Sequence, residues 1–173
     1  KPTLNGLSKN NIPYKGFLYA GLMIFDNEPY LIEYNVRMGD PECQTILPLL
    51  KNDLLEIINL CVEQKLDKSY FINWIDKKSL CIVLCSKGYP ENYIKQSEIQ
   101  NLNNIKKEKD THIYHAGTKN KNNTIVSIGG RVLNIISVSD EYKTSREKAI
   151  SVIKELNWKD GFFRKDIGFK IIK

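Results

Sequence analysis

The run Glu33-Tyr34-Asn35-Val36-Arg37-Met38-Gly39-Asp40-Pro41-Glu42 constrains this chain more than any other. It follows two apolar stretches and leads into a helical pattern, so an extended strand must open onto polar ground and then turn. Side chains alternate faces along a strand, which lets Glu33, Asn35 and Arg37 project to one side. That side carries a carboxylate, an amide oxygen and a guanidinium. Oxygen donors of this kind suit Mg²⁺, which takes one or two protein ligands and completes its shell with phosphates and water. Arg37 adds a planar fork that matches phosphate or carboxylate. The run reads as a site for a metal-bound polyphosphate.

The segment before it supports a hairpin. Residues 16–25 are short, aromatic and branched, and read as a buried strand. Asp26-Asn27-Glu28-Pro29 supplies the turn, and residues 30–35 return as the partner strand. After it, Asp40 is a natural N-cap with Pro41 at the first helical position, predicting a short helix through Leu47 that Pro48 interrupts. A second helix is expected from Asp53 to about Gln64, capped by Asn52, with Leu54, Leu55, Ile58, Cys61 and Val62 on one apolar face. This unit makes a poor domain by itself, because its polar loop faces outward without a partner layer.

A different rhythm starts after the polar stretch from Lys65 to Lys78. Strands are expected over 79–86, 111–118, 125–128 and 131–138, with turns at Gly88-Tyr89-Pro90 and Gly129-Gly130 and a loop at 120–123. A helix over 141–156 places Ala149, Ile150, Ile153 and Leu156 at helical spacing. The tail around Phe162–Gly168 reads as a last strand or an ordered extension, with Arg164 paired to Asp166 or at the surface. The domains are therefore 1–66, a linker over 67–78, and 79–173.

Composition settles some questions of class. No apolar run approaches the roughly 20 residues of a membrane span, and no signal peptide is visible. Reduced thiols in a cytoplasm are the default for the four scattered cysteines. Cys81, Cys85, His112 and His115 read as core thiols and strand histidines rather than a zinc site, because strand geometry spreads them apart. The net charge of +6 sets 22 lysines and 4 arginines against 20 acidic residues, and with no aromatic-interleaved basic stripe it reads as surface rather than a nucleic-acid face. Where lysine is the usual cation, the arginines at 37, 131, 146 and 164 draw notice, since a fork is needed for bidentate geometry. The absence of an initiator methionine suggests a piece of something longer.

Several runs together carry a resemblance. Residues 16–23, 33–42 and 47–56, then Lys87-Gly88-Tyr89-Pro90, His115-Ala116-Gly117-Thr118, Gly129-Gly130-Arg131-Val132 and Arg164-Lys165-Asp166-Ile167-Gly168, follow in collinear order. The chain closely resembles the phosphoribosylamine–glycine ligase family of the ATP-grasp superfamily over nearly its whole length.

The resemblance implies an α+β fold: the C-terminal part of an ATP-grasp domain, followed by a β-rich C-terminal domain with a packed helix. It implies ATP-dependent ligation of glycine to 5-phosphoribosylamine through glycyl phosphate, with ATP and Mg²⁺ or Mn²⁺. Glu33 and Asn35 would hold the metal, and Arg37 would stabilise charge on the transferring group. Gly39 would let substrate approach the backbone, and Asp40 would bind the glycine ammonium, cap the helix, or both. Gly129, Gly130 and Arg131 could cradle the ribose phosphate through backbone amides and the guanidinium. The family's N-terminal part, with the loop that closes over ATP, is not in this sequence, so the chain is expected to be inactive alone and to partner that missing part. Two alternatives stay open: another ATP-grasp carboxylate–amine ligase, and a non-catalytic module that keeps the ligand face.

Overall fold

The computed structural model describes residues 2–106 and 109–172. The chain divides into two units, Lys1–Cys43 with Leu50–Ile75, and Gln44–Leu49 with Asp76–Lys173.

The first unit opens with a helix that the sequence did not announce, α1 (Pro2–Lys9), which carries no buried residue. Thr3 Oγ1 and the Tyr34 hydroxyl share a hydrogen bond of 2.6 Å, tying the helix to the strand that bears Tyr34. The hairpin follows as β1 (Tyr19–Phe25) and β2 (Glu28–Asn35), antiparallel, with Phe25 opposite Glu28. The turn is tighter than expected. Asp26 and Asn27 alone form it, both left-handed with φ of 48° and 62°, and such short polar residues tolerate this. Glu28 and Pro29 are therefore already strand.

The expectation of a buried strand is overturned: Met23, Ile24, Phe25 and Ile32 are all exposed, Phe25 and Ile32 at 64% each. Alternating side chains put apolar groups on both faces of the hairpin, and the described residues cover neither. Beyond Asn35 the chain bends, and the next helix, α2 (Glu42–Ile46), begins one residue later than the sequence predicts, with Pro41 still in the turn. A 3₁₀ turn at Leu47–Leu49 contains Pro48.

Helix α3 (Leu54–Val62) is capped by Asp53, not Asn52: Asp53 Oδ1 accepts from the amides of Leu55 at 2.7 Å and Glu56 at 3.3 Å. Asn52 is used elsewhere, accepting from the Asn73 amide and donating to the Phe71 carbonyl. The apolar face predicted for this helix is largely exposed at Leu55, Ile58 and Val62, and only Ile57 is buried.

The second unit holds the core. Four antiparallel strands run in the order β4-β7-β3-β8, with β3 at Lys78–Ser86, β4 at Thr111–His115, β7 at Arg131–Ser139 and β8 at Gly161–Phe162. The segment predicted as one strand over 111–118 is broken at Ala116-Gly117. From there β5 (Thr118–Lys121) and β6 (Thr124–Ser127) form their own hairpin. Its turn is Asn122-Asn123, left-handed at both residues, so Asn120 and Lys121 belong to the strand and not to the loop expected there.

Helix α4 (Tyr142–Leu156) lays Ala149, Val152, Ile153 and Leu156 on Leu80, Ile82 and Leu84 of β3 and Leu133 and Ile135 of β7. The spacing of those four residues is one helical stripe. Asn157 ends the helix in the left-handed conformation, with its amide reaching the Ile153 carbonyl. The start of α4 is held by fully buried Ser145, whose Oγ donates to the Lys78 carbonyl and contacts Ser139 Oγ.

Candidate active site

Glu33 and Asn35 stand two residues apart at the end of β2, and strand alternation puts both side chains on one face. Asn35 Nδ2 donates to Glu33 Oε1 at 2.8 Å. The bond orients the amide and engages one oxygen of Glu33, leaving the Asn35 carbonyl oxygen and the second Glu33 oxygen outside it. Both are oxygens, the donor type that a hard divalent cation prefers. Two donors make an incomplete shell, as expected where phosphate oxygens and water fill the rest. Among the described residues no group of three or more His, Cys, Asp or Glu is placed to hold a metal ion.

The residue opposite Glu33 on β1 is Gly21, and the ladder slips its register just after it. A Cβ on Gly21 would lie 3.1 Å from Glu33 Cγ. The glycine thus makes room for the Glu33 side chain to lie across the neighbouring strand. Sequence reasoning passed over Gly21, whose only signal was an isolated glycine inside a strand pattern.

Arg37 does not continue the strand face. The ladder ends at Asn35, residues 36 and 37 form a bend, and the Arg37 guanidinium turns back to donate from Nη1 to the Met38 carbonyl at 2.9 Å. The alternation that relates Glu33 to Asn35 therefore stops before Arg37. Its charge is nonetheless felt in the same place, at the Tyr19 hydroxyl.

Tyr19 begins β1 and donates its phenol to Glu42 Oε1 at 2.8 Å. That bond, partial desolvation, and the negative charges of Glu42 and Glu33 hold its pKa above the ordinary tyrosine value, while Arg37 pulls it down. A single hydroxyl thus senses Glu33, Arg37 and Glu42. The second functional candidate missed in the sequence is this tyrosine, which looked like one more aromatic in an apolar strand.

Gly39 is buried, and its absent side chain has a structural reason. A Cβ there would run into the Glu42 carboxylate and come within 3.1 Å of the Tyr19 ring. Gly39 thus packs closely against Glu42 and Tyr19. Its carbonyl accepts from the Cys43 amide at 2.9 Å, starting the helical turn. Asp40 is exposed in the turn before α2.

Gly129, Gly130 and Arg131 lie in the second unit, where β6 passes into β7. In this run the Gly129 amide donates to the Gly117 carbonyl at 3.3 Å. The Gly130 carbonyl accepts from the Ser86 amide at 2.8 Å, and the Gly129 carbonyl from Ser86 Oγ at 3.1 Å. Gly117 packs so tightly that a Cβ would sit 2.7 Å from the Arg131 carbonyl oxygen. Arg131 is exposed at the start of β7 opposite Cys85. Burial pushes the Cys85 thiol up, and Arg131 pulls it part of the way back. Arg164 forms a bidentate pair with Asp166, through Nη2 at 2.6 Å and Nε at 3.1 Å, which draws the Asp166 carboxyl below its ordinary value.

Residues 79–170 match the phosphoribosylglycinamide synthetase C domain, and residues 1–43 match the ATP-grasp (A) domain of the same synthetase. Among curated proteins, the chain is 47% identical over 167 residues to a phosphoribosylamine–glycine ligase of Caldanaerobacter subterraneus subsp. tengcongensis, covering 96% of this chain and 39% of that protein. It is 42% identical over 170 residues to the trifunctional purine biosynthetic protein adenosine-3 of Gallus gallus, covering 98% of this chain and 17% of that one. Among solved structures, the phosphoribosylamine–glycine ligase of Thermotoga maritima superposes with a TM-score of 0.79 at 30% identity, over 96% of this chain and 40% of that one. The chain thus spans about two fifths of the length of the single-function ligases it resembles.

Proposed function

The chain belongs to the phosphoribosylglycinamide synthetase family, and we propose that it supplies the metal edge and the C-terminal domain of a ligase. That enzyme joins glycine to 5-phosphoribosylamine at the expense of ATP, by way of glycyl phosphate. The reading rests above all on the Asn35–Glu33 hydrogen bond of 2.8 Å, which presents two oxygen donors on one strand face.

Glu33 and Asn35 hold the divalent cation, Mg²⁺ or Mn²⁺, that accompanies ATP. When bound, such a cation neutralises charge on the phosphate oxygens, which phosphoryl transfer requires more than it requires covalent help. Arg37 lies close enough to the Tyr19 hydroxyl to influence it, and its fork can leave the Met38 carbonyl to meet a phosphoryl oxygen. Tyr19 and Glu42 keep the Gly39–Glu42 turn against β1, so that Asp40 is held out where a glycine ammonium can meet its carboxylate. In the second unit the Arg131 guanidinium, carried by the clamped Gly129-Gly130 turn, binds the 5-phosphate of the amine substrate. The domain division at 1–66 and 79–173 is part of the same reading, supported by matches that fall on 1–43 and 79–170.

The partner of the chain is the N-terminal part of the same enzyme, a reading supported by the share of its relatives that it covers. A cytoplasmic setting suits four free cysteines. No described helix is long and apolar enough to cross a membrane.

The test is an assay of product formation from ATP, glycine and 5-phosphoribosylamine, run on the full-length protein and on this segment. We expect turnover by the full-length protein and none by the segment. Turnover by the segment alone would overturn the division of labour, and failure of the full-length protein to make the product would overturn the assignment.

A further inference from the structure

The Gly129-Gly130-Arg131 turn is held from one side by an aromatic ring. A Cβ on Gly130 would fall into the ring of Tyr89, meeting Cδ2, Cε2 and Cγ. Gly130 is not among the glycines with positive φ, which among the described residues are Gly16, Gly88 and Gly168. Glycine is therefore needed at 130 because of the ring, not because of the backbone conformation.

The ring is itself fixed. Its amide donates to the Ser86 carbonyl at 3.1 Å, and the next turn closes with the Glu91 amide on the Gly88 carbonyl at 2.9 Å. Gly88 has a φ of 95°, and a Cβ there would collide with the Asn92 carbonyl. The face of the shelf is extended by Tyr93, edge-on to Tyr89 with ring centres 6.1 Å apart, and by Lys95 over Tyr93 at 5.2 Å. Fully buried Ser86 meanwhile grips the carbonyls of both Gly129 and Gly130. Ring, serine and Gly117 all press on or bond to this turn, and Arg131 follows it directly in the chain.

We propose that Tyr89 is a positioning residue: its ring seats the Gly130 turn and so aims Arg131 at the phosphate of the amine substrate. This rests on the reading of Arg131 given above. The ring face carries the function, so the hydroxyl is dispensable.

The experiment uses the full-length enzyme and measures KM separately for 5-phosphoribosylamine, glycine and ATP in Tyr89→Phe, Tyr89→Ala, Arg131→Ala and the double variant Tyr89→Ala/Arg131→Ala. Loss of a charge-assisted contact should raise KM for 5-phosphoribosylamine about tenfold or more in Arg131→Ala. Tyr89→Ala should raise the same KM severalfold, leave those for ATP and glycine unchanged, and be rescued by Tyr89→Phe. The double variant should be no worse than Arg131→Ala, because a residue acting through another adds nothing once the other is gone. If Tyr89→Ala does not fold, Gly130→Ala displaces the ring and should raise the same KM. An unchanged KM in Tyr89→Ala beside a raised one in Arg131→Ala overturns the role of Tyr89. So does a double variant that multiplies the two effects, or a rise in all three KM values. An unchanged KM in Arg131→Ala overturns the phosphate reading itself.

Discussion

Tyr19 and Glu42 are joined by a 2.8 Å hydrogen bond that ties the first residue of β1 to the first residue of α2. The run between Asn35 and α2 contains neither strand nor helix, and this bond together with the close packing at Gly39 helps fix its path. The turn that bears Asp40 thus takes its position from a strand residue well upstream.

The phenol of Tyr19 should titrate above the ordinary tyrosine range, because ionising it breaks the bond to Glu42 and brings like charges together. A group whose folded pKa is raised stabilises the fold below its unfolded pKa. That contribution disappears as pH rises through the raised value. The difference in tyrosinate absorbance between the parent protein and Tyr19→Phe isolates this group. Glu42→Gln should bring its midpoint down, and a midpoint that does not move would show that Glu42 is not the cause.

Gly21→Ala places a methyl 3.1 Å from Glu33 Cγ, so the glutamate must shift by a few tenths of an ångström. Because the Glu33–Asn35 pair is a matter of orientation, we expect a severalfold rise in the metal concentration for half-maximal activity of the full-length enzyme, with thermal stability little changed. Gly21→Val should be more severe, since a branched side chain cannot yield in the same way. Wild-type metal dependence in both variants would show that Gly21 has no bearing on the donor pair.

Asp53→Ala removes the acceptor of two amides at the start of α3 and should cost about 1 kcal/mol, the usual value of an N-cap. Asn52→Ala should also destabilise the protein, but for a different reason. It strips the Asn73 amide of its partner, at 2.6 Å, and frees the segment around Phe71. Urea unfolding of each variant separates the two, since replacing Asp53 with Ser should restore most of the cap while Asn52→Ser should not restore its longer reach.

Much of this was legible from residues with local meaning. The alternation of Glu33 and Asn35, the helical stripe from Ala149 to Leu156 and the Arg164–Asp166 pair all follow from chain geometry over a few residues. What escaped depends on contacts distant in sequence. Nothing near Tyr19 announces Glu42, nothing near Gly21 announces Glu33, and Gly130 reads as a turn glycine until Tyr89 is seen on top of it. The exchange of cap between Asn52 and Asp53 is of the same kind, because Asn73 claims one of two equivalent candidates. Exposure of the hairpin was illegible for another reason: an apolar alternating strand announces that it wants burial, not what will bury it.

The most direct test of the metal site is the binding of ATP to the full-length protein by calorimetry, with and without Mg²⁺ or Mn²⁺, in the parent and in Glu33→Gln and Asn35→Ala. Glu33→Gln keeps the shape and removes the charge, while Asn35→Ala removes the amide oxygen and the bond that orients Glu33. The account predicts that the metal-dependent gain in ATP affinity falls about tenfold or more in each variant, as for loss of a ligand or its orienting partner, while affinity without metal is unchanged. A full metal-dependent gain in Glu33→Gln would contradict it.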